Sequence, residues 1–135
     1  MPEGHYVQEK IKLFPNGCWL ALYNDICAGY IFSHPWQYNS PIELNSTIGK
    51  ISGKIDCFYI HDIAIEPQYQ KKGIGKLLFF KAKEIANHLK LGRITAVSVQ
   101  NTALFWEKMG FQQSDIVKNK LLSYGNNCKY MILDL

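Results

Sequence analysis

The chain has 135 residues, 47% hydrophobic and 19% charged, with a formal net charge of +4, which fits one globular domain over residues 1–135 and excludes a charged or low-complexity disordered tail. Its positive charge gathers at Lys71–Lys90 and Lys118–Lys129 without the dense basic, aromatic-studded face of a nucleic-acid binder, so a small polyanionic ligand is expected and no nucleic acid. No apolar run approaches the ~20 residues of a membrane span and no leader pattern opens the chain; with four widely spaced cysteines that match no metal pattern, the reading is a cytoplasmic protein with reduced thiols, no metal and no membrane partner.

In chain order, Glu3 to Leu13 reads as a short helix with Tyr6, Val7 and Ile11 on one face, stopped by Pro15-Asn16-Gly17. Cys18 to Tyr23 and Ile26 to Phe32 are aromatic and β-branched runs joined by Asn24-Asp25, a pair suited to a tight hairpin turn. Ser33 to Ile55, with two prolines and two glycines, reads as a long connection with one helical turn near Ile42 to Leu44. Asp56 to Glu66 is a largely apolar strand ended by Pro67. A helix follows to about Leu91, with Ile74, Leu77, Leu78, Ala82, Ile85 and Leu89 at helical spacing and Gly92 as its left-handed cap. Ile94 to Val99 is strand-like, and Thr102 to Met109 is a short helix capped by Asn101 and closed by Gly110. Phe111 onward leads to two strands, the last over Lys129 to Leu133. The expected fold is α/β of the α+β kind: a mixed, mostly antiparallel sheet with a central parallel strand-helix-strand crossover.

One hexapeptide stands out, Gln70-Lys71-Lys72-Gly73-Ile74-Gly75, between a strand and a helix. A helix start has unpaired N–H groups and a partial positive charge, and glycine lets a phosphate approach the main chain. Lys71, Lys72 and Lys76 add charge at the same corner. A nucleotide P-loop is excluded, because Gly75-Lys76 is followed by Leu77 and not by the Ser or Thr that would hold magnesium.

With these pieces in this order, the chain resembles the GNAT superfamily of acetyl-CoA-dependent N-acetyltransferases. Gln70, Gly73 and Gly75 match its cofactor-loop signature, directly after the strand Ile60 to Glu66. Asn101 through Phe111 match a second block, an Asn before a short helix that closes on Glu-Lys, a spacer and Gly-Phe. Segments around Gly29-Tyr30-Ile31, Ser33 to Trp36, His61-Asp62, Phe105-Trp106-Glu107 and Ser123-Tyr124-Gly125 also look like a bacterial subgroup of small GNAT proteins. The resemblance runs from about Cys18 to the end. The family's first strand and helix have no counterpart before Glu3, so either the chain is a shortened form or another subunit, as in a homodimer, completes its edge.

The resemblance implies acetyl-CoA as cosubstrate and acetyl transfer to a primary amine, of a small molecule or a peptide, by direct attack in a ternary complex. The two parallel strands would splay at a bulge and free backbone groups for the amide chain of pantetheine. This assigns the main chain of Ile63, Ala64 and Ile65 to that arm, and residues Gln70, Lys71, Lys72, Gly73, Ile74, Gly75 and Lys76 to the pyrophosphate. An alkyl amine with a pKa around 10 is mostly protonated at neutral pH, so a base or a water relay is needed. His61, with an ordinary pKa of about 6.5, is one candidate and Asp62 is the other, because a bulge scrambles which of them faces the cleft. Where relatives carry a tyrosine to protonate the leaving thiolate, this chain has Trp106, an indole with no usable proton; either the thiolate leaves without help or Tyr124 or another hydroxyl substitutes, and Trp106 is read against the CoA arm or in the core. Asn101 binds pantetheine or only caps its helix. His34 and Trp36, on the long connection, are expected at the acceptor pocket. The alternative function is a non-catalytic acyl-CoA-binding or regulatory module.

Overall fold

The structure, a computed structural model, describes residues 4–42, 48–51, 53–99, 102–115, 121 and 128–135. Its elements are α1 (Gly4–Leu13), β1 (Cys18–Tyr23), β2 (Ile26–Trp36), β3 (Cys57–Ile65), α2 (Ile74–His88), β4 (Arg93–Ser98), α3 (Ala103–Lys108), β5 (Gln112–Ser114) and β6 (Lys129–Asp134). They build a mixed six-stranded sheet in the order β1-β2-β3-β4-β6-β5. Asn24 and Asp25 both take positive φ, 51° and 66°, the handedness that a two-residue hairpin needs between β1 and β2. Among the described residues only β3 and β4 run parallel, and α2 crosses between them. No helix among the described residues is long and apolar enough to cross a membrane.

One side of the sheet carries the larger core. Ala28, Ile31, Phe58, Ile60, Ile94, Ala96 and Met131 meet Ile74, Leu78, Phe79, Ala82 and Ala86 of α2, with Trp106 and Phe111 closing the end. Removing such side chains from water contributes about 1.5–3 kcal/mol each, which is what holds α2 in place. A smaller cluster of Ile42, Tyr59, Leu121 and Tyr130 occupies the opposite side.

Several expectations need correcting. β2 continues through Ser33, His34 and Pro35 to Trp36 because these residues pair in register with Cys57 to Ile60 of β3, so the long connection starts only at residue 37. Of its expected helical turn, residues 43 and 44 lie outside the described residues. Leu77 on α2 and Leu89 at its C-cap are exposed, and Phe79 and Ala86 take the inward face. The left-handed residue after α2 is Lys90 (φ 59°) and not Gly92. The N–H groups of Lys90 and Leu91 donate to the carbonyls of Asn87 and Ala86, which places the closing turn two residues earlier. The cap position of α3 is Thr102. On α1, Ile11 is exposed while Lys10 is buried, a rotation of the helix whose consequence appears at the site.

Candidate active site

The parallel pairing of β3 and β4 lasts three residues, Phe58↔Ile94, Tyr59↔Thr95 and Ile60↔Ala96. Beyond Ile60 the two strands part, as the sequence led one to expect, and a cleft of about 930 Å³ opens between them. Ile60 to Ile63 and Ile65 form one wall, Val97, Val99, Thr102, Phe105 and Trp106 the other, and the loop into α2 lies at one end with Tyr69, Gln70, Lys71 and Gly73 to Lys76.

At that end the main chain does the shaping. Lys71 and Gly73 both have positive φ, 63° and 79°, and Gly73 is the N-cap of α2 with no side chain bonding back to the helix. Leu77 is the first residue to donate to it, through Gly73 O at 3.1 Å. The N–H groups of Ile74, Gly75 and Lys76 therefore precede the first intrahelical bond, an arrangement of the kind that can bind an anion. A Cβ on Gly73 would meet nothing within 4 Å, so the space beside it is open, whereas a Cβ on Gly75 would stand 2.9 Å from the Phe105 ring. Gly75 is thus required by packing and Gly73 by its dihedral. Gln70 donates to Ile65 O at 3.3 Å, tying the loop to the end of β3. Lys72 turns away over the Tyr23 ring, 5.3 Å from its centroid, and does not line the cleft. Lys83 and Phe80 do line it. Sequence reasoning passed over them, although Lys76, Phe80 and Lys83 recur at i, i+4 and i+7, the signature of one helix face.

At the other end the side chains decide. Phe32 pairs with Asp62 and Ser33 with Ile60, so His61 is an extra residue in β3. Ile60 and Ile63 both join the α2-side core. The two residues between them emerge together on the opposite face: the His61 ring sits 5.7 Å from Tyr59, and Asp62 Oδ2 accepts from the Tyr30 hydroxyl at 3.0 Å. The open choice between His61 and Asp62 thus has a geometric answer, since the bulge turns both to one side and both line the cleft.

His34 and Trp36 stand in β2 and do not line the cleft, which corrects their expected place on a loop at the acceptor pocket. Trp36 donates its indole N–H to Ser40 O at 2.8 Å. His34, 2% exposed, lies behind His61. Its Nδ1–H donates to Pro35 O at 2.9 Å, which leaves Nε2 as acceptor for His61 Nδ1–H at 3.4 Å. That chain of bonds assigns the tautomer of His61 and leaves its Nε2 lone pair free.

Burial, then the neighbouring Lys10 charge and His34, pushes the His61 pKa down to about 2. Burial is also the main reason that His34 falls to about 4. The expectation that His61 titrates near 6.5 is therefore overturned: both imidazoles are neutral at physiological pH. Asp62 moves the other way. Burial raises its carboxyl above the usual range, against the lowering effects of the Tyr30 hydroxyl, Lys10 and the Ile63 N–H.

Lys10 itself was missed in the sequence. It is 8% exposed, its ammonium lies 5.6 Å from the Phe32 ring centroid, and it lines the cleft on the side of Asp62. A lysine on a short helix reads as solvated, and nothing local signals otherwise. Trp106, 4% exposed, packs in the core, edge-on to Phe111 at 5.1 Å, and also lines the cleft. Asn101 and Tyr124 lie outside the described residues. No cluster of His, Cys, Asp or Glu suited to a metal occurs among the described residues.

Residues 2–111 match the family model of the Acetyltransferase (GNAT) family. Glucosamine 6-phosphate N-acetyltransferase of Schizosaccharomyces pombe is 27% identical over 74 residues, covering 55% of this chain and 67% of that protein. A Bacillus anthracis structure in complex with acetyl coenzyme A superposes with a TM-score of 0.63 at 23% identity, over 87% of this chain but only 61% of its own. A GNAT-like decarboxylase, GphF, in complex with isobutyryl-CoA, superposes with a TM-score of 0.78 at 12% identity, over 95% of this chain and 83% of its own. Similarities at these identities establish the fold.

Proposed function

The chain belongs to the GNAT acetyltransferase family, and from that premise we propose that it transfers the acetyl group of acetyl-CoA to a primary amine by direct attack in a ternary complex. The observation that carries the reading is the pairing of two half-sites along one cleft, an uncapped helix start at one end and a bulge presenting Asp62 and His61 at the other. The N–H groups at Ile74 to Lys76 take the pyrophosphate, with Lys71, Lys76 and Lys83 around it. The parted strand at Ile63 to Ile65 pairs with the pantetheine amides. Of the other residues expected in the binding site, Gln70 holds the loop to β3, Lys72 serves only at longer range, and Ala64 contributes through its strand alone.

Acetyl-CoA supplies a thioester carbonyl, at which the new C–N bond forms as the C–S bond breaks. Asp62 is the proton acceptor, because burial brings its pKa closer to the working pH while His61 is depressed to about 2. His61 stays neutral and offers its Nε2 lone pair to an amine N–H, which orients the nucleophile. Trp106 has no usable proton for the departing sulfur, so Tyr124 keeps that role and Tyr124→Phe tests it. The cytoplasm suits this reading, since the four cysteines are free thiols.

Trp106 also favours a second reading, an acyl-CoA-binding module without turnover. Because the same fold carries a decarboxylase, CoA binding alone does not decide. The deciding measurement is free thiol release from acetyl-CoA over a panel of amines. Amine-dependent release with N-acetylated product in the mass spectrum supports transfer, and binding without release leaves the module.

A further inference from the structure

Lys10 is a buried cation that the transfer reaction does not use. Among the described residues the ion pair within 4 Å is Arg93 with Asp134, paired across β4 and β6, and no carboxylate pairs with Lys10. Glu9, next to it on α1, is committed elsewhere: its two carboxylate oxygens accept from the N–H groups of Ile48 and Gly49. Asp62 acts on Lys10 through space but takes its hydrogen bond from Tyr30. The Phe32 ring shelters the stem and faces the ammonium. His34 and His61 are neutral and donate or accept within their own chain of bonds. A partly desolvated ammonium with no carboxylate in direct contact is costly, and an anion arriving in the cleft would relieve that cost.

We propose that Lys10 selects the acceptor: the amine that enters this cleft is a small molecule bearing a carboxylate or a phosphate, which pairs with Lys10 while Asp62 receives the nitrogen. The inference rests on the acetyl-transfer reading. Two opposite charges on one wall match a dipolar ligand, whereas a simple alkylamine would satisfy Asp62 and leave Lys10 unpaired. Burial lowers the pKa of Lys10, and the opposing charges of Asp62 and Glu9 do not fully offset it.

Matched amines that differ only in the anion test this: β-alanine against its amide, and an aminoalkyl phosphate against the corresponding amino alcohol. Thiol release is followed for wild type, Lys10→Met and Lys10→Arg, with circular dichroism as the check on folding. The anionic member of a pair should show a KM lower by about ten- to a hundredfold, the range for a hydrogen-bonded charge. Lys10→Met should bring the ratio within each pair close to one, and Lys10→Arg should retain part of it. The two pairs separate a carboxylate preference from a phosphate preference. Equal KM values within both pairs would overturn the proposal. So would a Lys10→Met ratio unchanged from wild type, or acetylation of Lys10 itself in the intact mass after exposure to acetyl-CoA alone. If no amine releases thiol, the transfer reading fails on its own, and Lys10 is then judged by calorimetry on CoA-saturated protein. Tighter binding of N-acetyl-β-alanine than of its neutral amide, lost in Lys10→Met, supports the anion site; equal binding refutes it.

Discussion

The two ends of the cleft are built on different principles. At the α2 end the proposed donor site is made of main-chain N–H groups freed by a left-handed glycine, with Lys71 and Lys76 exposed beside them and Lys83 half-buried. At the β3 bulge the proposed acceptor site is made of side chains: half-buried Asp62 and His61 and buried Lys10, with His34 behind. Backbone recognition tolerates side-chain change but not a change of dihedral. Side-chain recognition depends on burial, which sets the charge states of the groups and makes each substitution expensive. If the proposed function holds, affinity for the donor and chemistry on the acceptor are separable, because one would reside in local backbone geometry and the other in cross-strand packing.

Separability is tested most sharply at Asp62. Asp62→Asn keeps the shape but removes the proton acceptor, and kcat should fall about 10²–10⁴-fold while CoA affinity, measured by calorimetry, stays within a few fold. His61→Gln, which removes an orienting lone pair, should cost less, and no acidic limb near pH 6 should vanish with it, because His61 does not titrate there. An equal loss of CoA affinity in Asp62→Asn would join the two ends.

Acid should damage the bulge end first. His34 and His61 have folded pKa values of about 4 and about 2, below an ordinary 6.5. The unfolded chain therefore binds more protons between those values, and stability that is complete above pH 6.5 is lost as pH falls through that window. Two such groups make the unfolding equilibrium steeper by up to about a hundredfold per pH unit near pH 5. Urea unfolding at pH 7, 6 and 5 measures it, and His61→Gln should roughly halve the slope. A flat profile would mean that the imidazoles are solvated.

The donor end breaks through its backbone. In Gly73→Glu, a residue forced to positive φ places a carboxylate in the open space beside the helix start, and CoA should bind at least about tenfold more weakly. Rates at saturating acetyl-CoA should hold. Unchanged affinity in a folded variant would reduce the loop to a structural turn.

The smallest effects belong to the lysines beside the helix start, Lys76 exposed and Lys83 half-buried. Lys76→Ala and Lys83→Ala should each raise the KM for acetyl-CoA by about two- to fivefold at low salt, and the difference should fade toward 1 M salt as screening takes over. A loss that persists at high salt would show a contact closer than surface charge provides.

What the sequence by itself determined is what depends on neighbours in the chain. The Gln70 to Gly75 turn, the amphipathic α2, the Asn24-Asp25 hairpin and the parallel crossover were legible because dihedral demands and periodicity are local. The resemblance to a family added the order of these parts. Even locally there were limits: Gly92 looked like the cap that Lys90 provides, and Leu77 looked buried, because a period does not say which stripe meets the sheet. Only the tertiary structure decided that His61 and Asp62 share a face, since a bulge is set by the register of β2 against β3. Likewise, only tertiary packing placed His34 behind His61, far from the loop where its neighbours in sequence suggested it belonged. Burial of Lys10 needs α1, Phe32 and the parted strands together. Charge state follows burial, and burial is a property of three elements meeting, which no run of residues along one of them contains.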